Sequence, residues 1–309
     1  MDKTTATSST LTTPDSHILY TKTWTPSTPP TARLAFLHGF SDHCNWYDEF
    51  FRRLAVKGIK CYSFDQRGWG QSVHEPSQRG LSGSTEQIMT DITTFIRSTL
   101  DDEKDVPLFL GGHSMGGGEA LTYLALGPPD IVKRFRGAVL EAPFLAQPPA
   151  TRANGLVVLG GKMLSKVLPN RQMVQKLDKN LMCRDKEVCD AWERDELCHD
   201  TGTLEGLKGL LERGQHLIDG TTVVKEGIME GGKTRIWCGH GTGDQVADFH
   251  AVDGWFRGLT IEDKCLQVYE GWYHKLHTEP GEDKVRFAND VSTWILDRSS
   301  ADIDAKSKL

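Results

Sequence analysis

The stretch Leu108–Ala120, LFLGGHSMGGGEA, joins an apolar run to helix-forming residues through a serine set among glycines: Gly112, Gly116, Gly117 and Gly118 surround Ser114. Glycine inside a regular element costs stability. Four of them here mark a backbone path that larger side chains would obstruct. Residues 106–112 read as a strand and 116–126 as a helix, so Gly112-His113-Ser114-Met115-Gly116 is G-x-S-x-G at a strand-to-helix turn. That setting is a strained elbow lifting the serine Oγ above the strand ends. The positive end of the following helix favours negative charge there. A nucleotide loop is excluded, because the phosphate-binding Lys and the G-x-G-x-x-G spacing are both missing.

Outward from the elbow, strands and helices alternate. Residues 17–26 read as a strand closed by PSTPP, 32–40 as a buried strand ending in Gly, 46–58 as a helix and 59–65 as a strand before the Gly-rich loop QRGWGQS. Ser84 with Gln87 forms a capping-box pattern opening a helix over 84–100, and 135–143 is a further strand. From about 146 to 231 the pattern is helical without intervening strands; a strand over 233–244, a helix near 251–259, a strand over 264–271 and a closing helix over 282–297 follow. The fold class is therefore α/β: a mostly parallel sheet with helices on both faces and a helical cap inserted over its C-terminal edge. The expected division is a tail over 1–16, a core over 17–145 and 232–298, a cap over 146–231 and a flexible tail over 299–309.

Composition narrows the function classes. No apolar run approaches the roughly 20 residues of a membrane helix. A net charge of −6 without basic clusters argues against nucleic acid as a partner. The polar start MDKTTATSSTLTTPDS is neither a secretory signal nor Arg-rich enough for a typical transit peptide. Seven scattered cysteines without a C-x-x-C pair fit free thiols in a reducing compartment, and the Cys183, Cys189, Cys198 and His199 spacings match no zinc pattern, so no metal is expected. The final Ser307-Lys308-Leu309 matches the address read by the peroxisomal import receptor, so a peroxisomal location is expected.

A serine nucleophile needs a base that a carboxylate orients, in the chain order serine, acid, histidine. His199 and His216 fall in the helical insertion, His240 precedes the required acid, and His250 lies in a helix close behind Asp244. His274, directly after the last strand in YEGWYHKLH, is the favoured base, with His277 a neighbour. Asp244 in the loop of CGHGTGDQV is the acid, whereas Asp248 and Asp253 read as solvated. Acyl transfer also needs oxyanion donors: the backbone N–H of Met115 after the nucleophile, and that of Phe40 in the loop after the 32–40 strand. His38 would brace that loop.

With these residues assembled, the chain resembles the monoglyceride lipase group of the α/β-hydrolase superfamily, its fungal members above all. The likeness spans nearly the whole chain through FLHGFSDHCNWYDEF, FDQRGWGQS, GHSMGGG, GHGTGDQV and YEGWYHKLHTEP. Members also carry a serine aminopeptidase S33-type label, which does not imply peptidase activity. The resemblance implies an α/β-hydrolase fold, a Ser114–Asp244–His274 triad, Phe40 and Met115 N–H groups as the oxyanion hole, and structural support from the loop around Asp65 and Arg67. It implies hydrolysis of lipid esters such as monoacylglycerol without a cofactor, and an apolar cap that touches lipid surfaces transiently. Leu156, Val157, Leu159, Met163, Leu164 and Val167 supply such a face. Similar fungal hydrolases also act in peroxisome-linked toxin biosynthesis, so an ester or acyl-CoA thioester of a fatty-acid-derived metabolite is the alternative substrate. A non-catalytic ligand-binding module is the alternative from a different class.

Overall fold

In the computed structural model, residues 4–152 and 154–300 are described; Ser307, Lys308 and Leu309 lie outside them. The strands are β1 (Thr5–Thr12), β2 (Ile18–Thr25), β3 (Ala32–Leu37), β4 (Ile59–Phe64), β5 (Leu108–His113), β6 (Phe135–Glu141), β7 (Gln172–Val174), β8 (Thr201–Thr203), β9 (Arg235–Gly241) and β10 (Asp263–Tyr269). The helices are α1 (Asp48–Val56), α2 (Thr85–Leu100), α3 (Met115–Leu126), α4 (Pro129–Val132), α5 (Gly155–Ser165), α6 (Lys186–Arg194), α7 (Leu204–Ile218), α8 (Phe249–Gly258) and α9 (Glu282–Ser300).

Eight strands form one sheet in the order β1-β2-β4-β3-β5-β6-β9-β10. The β1–β2 and β2–β4 pairs are antiparallel and the other pairings are parallel. Alternation along β3 shows how the sheet acquires two cores. Ala35 and Leu37 pack with residues of α2, α3 and α8, while Leu34 and Phe36 pack with α1 and α9. Strands buried on both faces read as continuous apolar runs. The chain leaves β3 for β4 on one side and takes β5 and β6 on the other, so β3 and β5 flank a switch point where ligands bind in open α/β sheets.

Four features differ from the sequence expectations. Residues 5–12, placed in a tail, form β1, which pairs with β2 along its full length from Thr5↔Thr25 to Thr12↔Ile18. Its Thr-rich sequence favours a strand, but at this largely exposed edge no apolar alternation announces it. Helix α9 runs to Ser300, past the expected core limit at 298. The 146–231 segment carries α5, α6 and α7, and also the three-residue antiparallel pair β7–β8, too short to give a periodic signal. Half of the capping box forms: Ser84 Oγ accepts from the Gln87 N–H at 3.4 Å, whereas the Gln87 side chain donates to Asp91 Oδ1 at 3.0 Å.

All seven cysteines are free thiols. No helix among the described residues is long and apolar enough to cross a membrane.

Candidate active site

Strand β5 delivers Ser114 to the switch point. Ser114 is the N-cap of α3, with φ 53° and ψ −117°, a conformation that costs a non-glycine residue of order 1–3 kcal/mol. Neighbouring backbone holds it there. The Ser114 N–H donates to Glu141 O at 3.0 Å, and its carbonyl accepts from Phe144 N–H at 2.8 Å and Gly118 N–H at 3.1 Å. The glycines allow the close approach. A Cβ on Gly112 would stand 2.3 Å from Gly116 O, and one on Gly116 would stand 2.3 Å from Leu37 O and 2.6 Å from His38 O. The serine-surrounding glycines thus let α3 press against both its own strand and the loop after β3.

Asp244 follows β9 and His274 follows β10. Their loops are joined where Gly243 N–H donates to Trp272 O at 2.9 Å. His274 Nδ1 lies 2.7 Å from Asp244 Oδ2, leaving Nε2 as the nitrogen available to a nucleophile. Asp244 Oδ1 accepts from the Val246 and Ala247 N–H groups at 2.8 and 3.0 Å, and His240 Nε2 stands 3.2 Å from Oδ2. Burial opposes the charge on Asp244, but the facing His274 and His240 overcome it and hold the carboxyl well below the usual carboxylate range.

Ser114, Met115, His274 and Phe40 line one cavity of about 250 Å³. Its remaining walls are mostly apolar and come mainly from the 146–231 segment, including Val157, Met173, Leu207 and Leu211, with His113, Phe144, Val246 and Lys275 completing them. Met115 is the first residue of α3, where an N–H has no partner within the helix. The Phe40 ring stands edge-on to Trp69 at 4.7 Å between centroids. His38 braces the loop as expected: Nδ1 lies 2.8 Å from Gly39 O, and Nε2 accepts from Gln66 N–H at 2.8 Å. Asp65 also acts structurally, its carboxylate accepting from Cys44 and Gln71 N–H groups at 2.8 and 2.7 Å.

The histidines set aside in sequence have other partners. His199 stacks on Trp69 at 5.0 Å, and His250 follows the N-cap Asp248 of α8. Neither lines the cavity. Sequence reasoning missed three contacts: His240 on the acid, the buried Glu141–His277 pair at 2.7 Å beside His113, and the buried Lys275–Asp42 pair at 2.9 Å. The signal available for Glu141 was an acid ending an apolar strand, and for Lys275 a lysine adjoining the base. Among the described residues, two groups of potential metal ligands exist, His43–Asp195–Cys198 and His113–Glu141–His277. In each, a histidine–carboxylate contact of 2.9 or 2.7 Å already uses ligand atoms.

The serine aminopeptidase S33 family model matches residues 28–281, most of the chain. The chain belongs to this family of hydrolases. Among its relatives, a Schizosaccharomyces pombe protein named "Putative monoglyceride lipase" is 33% identical over 292 residues, covering 94% of this chain and 74% of the relative. The monoglyceride lipase of Rattus norvegicus is 30% identical, with 92% and 88% covered. A soluble variant of the Saccharomyces cerevisiae monoglyceride lipase, solved with a substrate analog, superposes with a TM-score of 0.82 at 22% identity, covering 91% of this chain and 92% of that one. That likeness is one of fold, and it makes the architecture an α/β-hydrolase.

Proposed function

We propose that the protein is a serine carboxylic-ester hydrolase that cleaves monoacylglycerol to fatty acid and glycerol. One observation carries the reading: a serine on a strained elbow and a carboxylate-bound histidine face one apolar cavity. The relatives named monoglyceride lipase support the substrate.

Ser114 Oγ attacks the ester carbonyl carbon while His274 Nε2 takes its proton. Asp244 stays ionised, orients the ring and stabilises the imidazolium. The oxyanion rests on the Phe40 and Met115 N–H groups. The C–O bond to the alcohol breaks as His274 returns the proton to the leaving oxygen. Water then attacks the acyl-serine, with His274 again moving the proton, and the fatty acid departs.

The cavity walls from the cap, residues 146–231 in this reading, would accept the acyl chain. Leu156, Val157 and Val167 are 78%, 69% and 76% exposed, with Lys162 and Lys166 among them. An apolar face with cationic neighbours supports transient contact with a lipid surface. Where Leu309 is the chain's carboxyl terminus, Ser307-Lys308-Leu309 supports delivery to peroxisomes by the import receptor. Hydrolysis there would feed fatty-acid breakdown or tailor a fatty-acid-derived metabolite.

Competitive labelling with a fluorophosphonate tests the reading. Labelling should require Ser114, vanish in Ser114→Ala and be blocked by monoacylglycerol. Protection by acyl-CoA alone would make the enzyme a thioesterase, and an unlabelled folded protein would make it a binding module.

A further inference from the structure

We propose that Lys275 is a positioning residue for oxyanion stabilisation: its ammonium, paired with Asp42, fastens the loop carrying Phe40 to the loop carrying His274. The proposal rests on the ester-hydrolase reading and names a part of that site which the triad does not include.

The pair is enclosed. Lys275 Nζ lies 2.9 Å from Asp42 Oδ2, and the two side chains are 4% and 1% exposed. Asp42 is anchored on its own side, Oδ2 accepting from Tyr47 OH at 2.9 Å and Oδ1 from His43 N–H at 3.0 Å. The ammonium also lies 5.1 Å from the Trp46 ring and 5.6 Å from the Trp192 ring, within cation–π range. Burial alone would raise the Asp42 carboxyl, yet the adjoining Lys275 keeps it below its ordinary value.

The connections made by this pair reach three parts of the site. Lys275 immediately follows His274, and its backbone N–H donates to Met182 O at 2.7 Å. Asp42 stands two residues beyond Phe40. Between them Ser41 has φ 54°, a left-handed conformation that needs support. Support comes from the cap: Trp192 Nε1–H donates to Ser41 O at 3.2 Å, and Asp200 N–H donates to Ser41 Oγ at 2.9 Å. The Lys275 ammonium therefore packs against the same tryptophan that holds the oxyanion loop. A buried ion pair contributes little net stability compared with apolar packing of similar volume. What this one supplies is a fixed distance between the base loop and the oxyanion loop. Small misplacements of such parts cost large factors in rate.

The test is Lys275→Met, which keeps the straight chain and removes the charge. Three quantities are measured: kcat and KM on a soluble short-chain ester, affinity for a trifluoromethyl ketone and affinity for a non-reactive fatty alcohol. The ketone adds Ser114 Oγ to its carbonyl carbon and leaves an alkoxide in the oxyanion hole; the alcohol fills the cavity without forming that charge. We expect kcat to fall about tenfold or more, ketone affinity to fall by a matching factor, and KM and alcohol affinity to stay within about twofold. Lys275→Arg should recover part of the loss. Asp42→Asn should act in the same direction, and combining it with Lys275→Met should add little because the pair works as a unit.

Unchanged kcat and ketone affinity in Lys275→Met would overturn the proposal. So would equal losses of ketone and alcohol affinity, which would mean general distortion. If Lys275→Met fails to fold, the same measurements on Asp42→Asn/Lys275→Met decide, and wild-type ketone affinity there overturns it. Failure of the ester-hydrolase reading looks different: the wild-type protein itself would neither turn over the ester nor capture the ketone through Ser114.

Discussion

Asp244 Oδ2 receives His274 Nδ1 at 2.7 Å, with His240 Nε2 placed 3.2 Å from the same oxygen. The acid is thus held by two rings and two backbone N–H groups. Asp244→Asn should lower kcat by about 10³–10⁴-fold, because the amide no longer fixes the imidazole tautomer that leaves Nε2 free. His240→Asn should cost far less, about tenfold, since it removes one of several donors to a charged group. Steady-state kinetics on both variants check this order. A His240 variant as slow as the Asp244 variant would mean that the two histidines had been assigned the wrong roles.

Gly116→Ala sets helix propensity against contact. Alanine in the first turn of α3 gains up to about 1 kcal/mol over glycine. Its Cβ would stand 2.3 Å from Leu37 O and 2.6 Å from His38 O, both backbone atoms, and relieving such crowding costs about 1–3 kcal/mol. The clash should win. Thermal melts should show a net loss of stability, with activity falling further because the Phe40 loop is what must move. A variant as stable and active as wild type would mean that α3 can retreat from the β3 end.

The parts of this fold that sequence made legible are those whose physics is local. The β5 run, the glycines around Ser114 and the loop residues Asp244 and His274 each announce a local requirement, and the structure brings that histidine and acid together. What escaped depends on tertiary pairing. Strand β1 is defined by its partner β2, since its own side chains are mostly exposed Thr and Ser. His240 looked like a strand terminus, and only the bend of Gly241–Asp244 returns the carboxylate to its ring. Lys275 and Asp42 are 233 positions apart and nothing local to either marks a partner, yet both are buried against each other.

The exposed apolar surface of α5 and the turn that follows it gives a prediction about the substrate's physical state. Leu156 and Val167 are 78% and 76% exposed, so replacing them disturbs no core, and stability should stay within about 0.5 kcal/mol. Leu156→Glu/Val167→Glu should bind phospholipid vesicles more weakly and hydrolyse emulsified monoacylglycerol several-fold more slowly. Turnover of a soluble short-chain ester should be unchanged. Vesicle co-sedimentation and parallel assays on the two substrates separate these effects. Equal slowing on both would place the face in the catalytic cycle instead of at a lipid surface.

Glu119 gives a prediction about pH. It sits on α3 with its carboxylate 3.0 Å from Arg213 on α7, both side chains at least 95% buried. Burial pushes the Glu119 carboxyl up from 4.5 to about 7, with Arg213 and Gln66 only partly opposing it. The folded protein therefore binds this proton more tightly than the unfolded chain. Its contribution to stability is fully present below about pH 4.5 and is lost as pH rises through about 7. Across that window one proton changes stability by up to about 1.4 kcal/mol per pH unit. Glu119→Gln keeps the shape and removes the titration. Its melting temperature should be flatter than the wild type's across that window, with the difference widening as pH rises. Parallel slopes in the two proteins would show that Glu119 stays ionised against Arg213, with the ion pair outweighing burial between α3 and α7.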